Sequence, residues 1–559
     1  MATVPAPEKL FVRQATGLVR EIGLLTAVLI AVTNTVGFGW QGRVFQFTGP
    51  AVVPESQYVI PGWPPMAMAF LIIGIVVLIS IAAFAIVTTA MPRSGGGYIA
   101  ISRIVHPYVG YVATWMVYFG VAIAFGQIAA VTIEFIAGFG FIAGISAPAD
   151  PYSLVGIGVV IMLFFAGMAT LGVRMFGLLL QVMFWIPAAI TVGVYYLLLT
   201  ATPADMTRGF TQVTGTTPDQ LTAIALDKGM ATAFTGGYWG AVGIAFSGAY
   251  WAYIGYAAAN FVAGEVKEAT RKLPRAMFVA GILIVLIYIS ASLAMYSASS
   301  LVGKSGDFSF FSSYSYLSYG PGDATAFRPE GVPRARLPFI ATYQAQGAGL
   351  GFFLLPLALF AALWVANDIP PFLLTASRMA FAMSFDRLLP TRVAGVSERW
   401  HSPVGAIALT TAIGLVGLLA ESNIFGPGAL DVRVLHYNLG INPDDMVNWT
   451  DLMDILFFAP MALACLLFPF RRKDVFERAT FKPGGRWGVA IIGLAALVGQ
   501  LYLFGTILTA GYNLAVDQRS ILVLLGLGII VTIIYVYYKA QAKTTGVDYR
   551  TIFTQIPPE

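Results

Sequence analysis

Ile30-Ala31-Val32-Thr33-Asn34-Thr35-Val36-Gly37-Phe38-Gly39-Trp40 interrupts the first long apolar stretch of the chain. Phe246-Ser247-Gly248-Ala249-Tyr250-Trp251-Ala252-Tyr253-Ile254-Gly255 interrupts the sixth. Glycine lacks a Cβ and takes non-helical backbone angles cheaply, so both stretches invite local unwinding. Unwound backbone at membrane depth is tolerated only where it is buried in protein or lines a cavity. Two such breaks at matching places in two halves of a chain are the best pointer that sequence offers to a secondary transporter's binding site.

The rest of the chain has the composition this reading needs. Mean hydropathy is +0.79 and charged residues make up 11% of the chain, against about 25% in a soluble protein. A span takes roughly 20 apolar residues. About twelve stretches qualify, near 22–46, 65–90, 108–143, 152–172, 176–200, 236–262, 276–297, 346–378, 404–420, 451–469, 487–511 and 519–538. The first twenty residues have no short apolar core followed by a small-residue cleavage site, so the N-terminus is expected to stay inside. The lone thiol, Cys465, has no partner for an internal disulfide and reads as a small hydrophobe. His106, His401 and His436 are scattered at segment ends without ligand spacing, which argues against a metal site. The net charge of +5 is spread along the connections and calls for no nucleic-acid partner.

With the N-terminus inside, alternating the spans puts most cations in inner connections, among them Arg93, Arg103, Arg271, Arg378, Arg387 and Arg471-Arg472-Lys473. Fewer fall outside, including Arg43, Arg334 and Arg336, together with most loop acids. This positive-inside bias predicts an even number of spans, both ends cytoplasmic, in the cell membrane. The long outer connections near 201–231, 298–340 and 421–450 read as an outer cap or rim rather than a ligand-capturing lid.

Five short motifs, in order, resemble the amino acid–polyamine–organocation (APC) superfamily of permeases. They are Gly17-Leu18-Val19-Arg20-Glu21-Ile22-Gly23-Leu24; Met91-Pro92-Arg93-Ser94-Gly95-Gly96-Gly97-Tyr98 with Ser102-Arg103; and Gly264-Glu265-Val266-Lys267 with Arg271-Lys272-Leu273-Pro274-Arg275-Ala276. Ser377-Arg378 with Asp386-Arg387-Leu388-Leu389-Pro390 and Pro469-Phe470-Arg471-Arg472-Lys473 complete the set. The resemblance implies an all-α integral membrane protein with a LeuT-like fold. That fold has two inverted repeats of five helices, discontinuous helices one and six, and two peripheral helices. The corresponding division is a segment 1–20, repeat one over 21–200, an outer loop 201–231, repeat two over 232–470, helices eleven and twelve over 471–540, and a tail 541–559.

A broken helix presents about half a positive charge at one mid-membrane end and half a negative charge at the other. Free N–H groups suit a carboxylate and free C=O groups an ammonium, and an α-amino acid has both. Gly37-Phe38-Gly39 would supply the amides, and the Trp251-to-Ile254 carbonyls, ahead of Gly255, would accept from the amine. The competing reading is that these glycines only permit close helix packing. Asn34 stands one turn before the first break, placed to bind substrate or to hold the unwound strand. In the family an aromatic near Trp251 resembles a gate over substrate, and alignment passes Gly120, Val121 and Phe125 along the site. The uncharged bulk of Phe38 and Phe125 points to a neutral amino acid.

Two acids are read within spans, where a charge costs about 2.5–3.5 kcal/mol on insertion scales. Asp368 lies roughly 15 Å inside helix eight at 1.5 Å per residue and precedes Pro370-Pro371, which frees backbone carbonyls. By resemblance it faces helix one, where sodium-coupled relatives hold a cation. This makes it the candidate coupling group for H+ or Na+, against a plain structural hydrogen bond. Glu134 is placed in the outer vestibule. Some proton-coupled relatives carry a lysine midway along helix five, and Gln181-Val182-Met183-Phe184-Trp185-Ile186-Pro187 has none. Coupling through such a lysine is therefore not carried over.

The expected function is secondary transport of amino acids, with polyamines or other organic cations as the alternative substrates. A non-transporting membrane subunit or sensor on the same scaffold is the other reading. No cofactor is implied. A channel lacks its ring of charges or carbonyls. An enzyme lacks a nucleophile–base pair or a phosphate loop, since Arg93-Ser94-Gly95-Gly96-Gly97 has no Lys-Ser/Thr.

Overall fold

The computed structural model describes residues 11–12, 15–140, 150–422, 424, 432–434, 437–439, 443–510, 518–544 and 549–558. The helices used below are α1 (Leu24–Thr33), α2 (Phe38–Thr48), α3 (Pro65–Ala90), α4 (Pro107–Gly140), α5 (Pro151–Thr170), α6 (Val173–Leu199), α7 (Pro203–Thr214), α8 (Pro218–Asp227), α9 (Gly237–Tyr253) and α10 (Ala269–Ser299). They continue with α11 (Phe310–Tyr319), α12 (Leu337–Gly347), α13 (Leu354–Ala366), α14 (Ile369–Phe385), α15 (Val404–Glu421), α16 (Pro443–Arg471), α17 (Gly485–Ala510), α18 (Gln518–Thr544) and α19 (Tyr549–Thr554). The only strands among the described residues form a short antiparallel hairpin, Val432–Val434 with Tyr437–Leu439.

Eleven helices among the described residues are long and apolar enough to cross a membrane, against about twelve expected. The missing one is the sixth stretch. Its helix α9 stops after 17 residues because the chain unwinds at Ile254. Burial separates centre from periphery. The α1–α2 span is the most buried, whereas α5, α6, α17 and α18 present Val160, Leu178, Ile491 and Ile533 outward. In lipid such apolar exposure is the favourable arrangement, so these helices form the outer ring.

Span one ends its first half at Thr33. The hydroxyls of Thr33 and Thr35 donate back to the carbonyls of Leu29 and Ala31, both at 2.7 Å, and so cover acceptors near the break. Span eight kinks between α13 and α14 at Asn367–Asp368, because Pro370 and Pro371 bring no N–H to the preceding turn.

The two ends of the bundle differ. At one, the loop end, α7, α8, α11 and α12 form a packed helical cap; the Tyr314 and Tyr343 hydroxyls meet there at 2.9 Å. Two of the three long connections, 201–231 and 298–340, thus build a cap at this end, and residues 423, 425–431, 435–436 and 440–442 of the third lie outside the described residues. At the other, the basic end, the five motifs converge. Arg378 donates twice to Glu265, at 2.9 and 2.8 Å, and both side chains are buried. Arg103 donates twice to Asp386 (2.5 and 2.8 Å), which also accepts from the Tyr98 hydroxyl at 2.7 Å. Ile22 forms a parallel bridge with Val266, its N–H reaching Glu265 O at 2.9 Å. Both described terminal segments dock at this end. Arg387 donates to Phe11 O at 3.0 Å, and Arg93 to Pro557 O at 2.7 Å.

Candidate functional site

The breaks in spans one and six meet. Gly255 has φ +106°, a conformation that side-chain-bearing residues rarely adopt. A Cβ there would lie 2.0 Å from Asn34 O, so glycine both makes the turn and lets the two unwound segments touch. Gly39 serves the same approach one turn on, where a Cβ would lie 2.7 Å from the Ala252 Cβ. From α10, the Tyr288 oxygen lies 2.5 Å from both Thr35 O and Ala252 O and so ties the two breaks together.

Beside this junction is a cavity of about 410 Å³. That is within the range of small-molecule sites. Its buried floor includes Asn34, Asp368 and Asp454, and its rim toward the loop end includes the half-buried Gln127, Glu134 and Glu421 and the exposed Arg334. The basic end is closed by the motif contacts described above, so the cavity opens toward the loop end.

Of the residues expected at the site, Asn34, Phe38, Gly39, Gly120, Val121, Trp251, Ile254 and Asp368 line this cavity. Gly37, Gly255 and Phe125 do not. Gly37 stands behind the wall, where a Cβ would lie 1.7 Å from Asp368 Oδ2; its missing side chain is the seat of that carboxylate. Gly255 backs Asn34. Phe125 is fully buried and turned toward α15, with its ring edge 2.8 Å from where a Cβ of Gly414 would be. Gly126 and Gly414 bring α4 and α15 so close that Phe125 fills the helix–helix seam rather than the site.

The four carbonyls expected to receive an amine are also unequal. Trp251 O accepts from Ile254 N at 3.1 Å, Tyr253 O from Tyr256 N at 3.1 Å, and Ala252 O from Tyr288. No backbone hydrogen bond of this kind engages Ile254 O. Two buried side-chain oxygens at the cavity, Asn34 Oδ1 and Asp368 Oδ1, likewise have no hydrogen-bond partner. Buried polar atoms are normally paired, and clusters of exceptions call for a ligand, ion or water.

The lining is not free of charge, which corrects the reading from Phe38 and Phe125. Arg43, expected in an outer connection, is buried within α2, its guanidinium carbon 3.9 Å from the centre of a Trp251 ring. Arg336 lies 4.5 Å from the Phe135 ring centre and 5.4 Å from that of Phe38. Phe38 itself packs edge-on against Trp251 (6.0 Å) and Phe135 (5.5 Å). An aromatic row capped by two arginines therefore borders the cavity one turn above Asn34. Glu134 is at the rim, as expected, in the field of Arg336 and Arg334. Nor are Asp368 and Glu134 the only acids within spans, since α16 adds the buried Asp451 and Asp454.

Both corrections had a signal in the sequence. Gly39, Arg43 and Gln46 recur at helical spacing on the face that lines the cavity, and Asp451 and Asp454 stand three apart within the expected tenth span.

A comparison with curated proteins gives no match. A family model described as amino acid permease matches residues 22–535, a stretch that contains both breaks, the cavity, and the Arg378–Glu265, Arg103–Asp386 and Ile22–Val266 contacts. This chain belongs to that amino acid permease family, within the APC superfamily.

Proposed function

We propose that the protein is a secondary active transporter of amino acids, working by alternating access in the cell membrane with both ends cytoplasmic. The observation that carries this reading is a cavity of amino-acid size beside the touching breaks of two spans. The first amides of α2, unpaired as at any helix start, face the carboxylate of the substrate. Ile254 O and Asp368 receive its ammonium. Three cations (Arg43, Arg334, Arg336) and four acids (Glu134, Asp368, Glu421, Asp454) line the cavity, a near balance that suits a zwitterion without net charge. Asp368, seated against Gly37 between spans one and eight, is the proposed coupling group for Na+ or H+. Two inverted five-helix repeats would give the rocking that alternation requires. Substrate enters from the loop end in this conformation, and the basic-end ion pairs must part for release.

A second reading, transport of organic cations, is favoured by the two buried acids Asp368 and Asp454 lining the same cavity.

A thermal-shift screen of purified protein against the twenty amino acids and common polyamines, with and without Na+, tests both. A ligand at a hundred times its Kd adds about 2.7 kcal/mol to apparent stability. A shift with at least one neutral amino acid, followed by counterflow of that amino acid in liposomes, is the expected result. Shifts confined to polyamines would establish the second reading instead. Silence with every compound in both assays would overturn transport itself.

A further inference from the structure

We propose that Asp454 is a proton-binding site at the cavity wall, separate from Asp368, through which the transport cycle senses pH. Its place in a cycle rests on the transporter reading above, whereas the binding of the proton does not.

Asp451 and Asp454 are one turn apart on α16 and both are buried, yet their surroundings differ. Asp451 accepts from Ser247 Oγ at 3.2 Å and lies in the field of the Arg43 guanidinium. Asp454 lines the cavity and accepts from the Tyr250 hydroxyl at 2.8 Å. Among the described residues no cation pairs with it. From α9 it is faced by Tyr250, from the unwound segment after α9 by Tyr256, and from its own helix by Asp451. α3 and α17 bring the neutral Ser80 and Gln500, and α4 brings Val117, Gly120 and Val121 to the same cavity.

The hydrogen inventory of this chain of groups is one short. Gln500 Nε2 donates to Ser80 Oγ at 2.9 Å and to the Tyr256 oxygen at 3.4 Å, which turns its Oε1 toward Tyr250, 3.4 Å away. Tyr250 has a single O–H and two acceptors, Asp454 Oδ2 and Gln500 Oε1. If Asp454 is ionised, one acceptor goes without and a carboxylate charge stands in the membrane interior with no counter-cation. Either deficit is costly. One proton taken from cavity water onto Asp454 repairs both. Asp454 then donates to the Tyr250 oxygen, Tyr250 donates to Gln500, and the chain is paired from the cavity to Ser80. Asp451 differs in having the Arg43 guanidinium nearby to offset a charge; Ser247 donates to its Oδ2, and its Oδ1 is unpaired. A cation brought to the Asp454 wall reverses the balance and releases the proton to the cavity.

Two measurements test this on the full-length protein. Infrared difference spectra between acid and alkaline pH should show a carboxylic C=O band that is absent from Asp454→Asn. In proteoliposomes at zero membrane potential, an imposed pH gradient should drive a radiolabelled mixture of the twenty amino acids to an inside-to-outside ratio away from one. The limit is about tenfold per pH unit for one proton per substrate. Asp454→Asn should settle at one. Asparagine keeps the size and donates to Tyr250 as the protonated acid does, so this variant should fold, and a melting point no lower than that of the wild type checks that it has. A band that persists in Asp454→Asn, or a ratio equal to wild type in that variant, overturns the proposal. If the wild type transports none of the twenty, the transporter reading fails on its own. The infrared band then decides the proton site: lost in Asp454→Asn it stands, retained it falls.

Discussion

Gly37 and Asp368 occupy one space. A Cβ on Gly37 would lie 1.7 Å from Asp368 Oδ2 and 2.5 Å from Oδ1, so the carboxylate of span eight fits into span one only because position 37 is glycine. The contact joins the first helix break to the kink at Asn367–Asp368. It also explains how a buried acid is held at the cavity wall with one oxygen unpaired.

Gly37→Ala should therefore displace Asp368 while leaving the bundle assembled. Overpacking of this kind typically costs about 1–3 kcal/mol. The expected outcome is a modest fall in melting point with loss of any Na+-dependence of uptake. Asp368→Asn should remove the same dependence without the steric cost. Full retention of the Na+-dependence in Asp368→Asn would take Asp368 out of Na+ coupling.

Glu265→Gln should be far more damaging to stability than to any binding measured on the surviving fold. It leaves the Arg378 guanidinium buried without its carboxylate, and breaking a buried pair from one side costs about 3–5 kcal/mol. Detergent-solubilised protein should show the loss as a large drop in melting point. A variant within a degree or two of wild type would mean that this pair does not hold the basic end closed.

Tyr288→Phe removes the hydroxyl between Thr35 O and Ala252 O; Thr35 O keeps the Gly37 N–H at 3.1 Å, whereas Ala252 O loses its donor. The expected destabilisation is about 1–3 kcal/mol. Because the bridge spans both breaks, substrate-induced thermal shifts should shrink in parallel. An undiminished shift in a destabilised Tyr288→Phe would separate the bridge from the site.

Gly255→Ala combines a strained backbone angle with a Cβ 2.0 Å from Asn34 O. Strain of this kind alone costs about 1–3 kcal/mol, and the collision adds to it. Folding yield should fall sharply relative to Gly243→Ala, whose Cβ would meet nothing within 4 Å. Equal yields would show that the two breaks need not touch.

Much of the site was legible because glycine advertises backbone behaviour directly. The chain does unwind beside the named glycines, at residues 34–37 and 254–257, although Phe38 and Gly39 already belong to α2, and eight of the residues named from sequence line one cavity. Phe125 was misplaced because a helix with apolar residues all round does not reveal which face meets solvent, lipid or a neighbouring helix. Arg43 was assigned to a connection although it falls within the apolar stretch near 22–46; its guanidinium stands over the rings of Phe38 and Phe47 from α2 and of Trp251 from α9.

Sequence alone determined the solvent of this protein and the places where its helices break. Length and apolarity decide whether a segment enters lipid, and glycine or proline decides where a helix inside lipid can open; both are local properties. Tertiary structure alone decided which glycine backs a carboxylate, which of four carbonyls stays free, and which of two neighbouring acids has a cation beside it. Those depend on groups far apart in the chain, such as Gly37 with Asp368 and Asp454 with Tyr250, and their partnerships exist only once the helices pack.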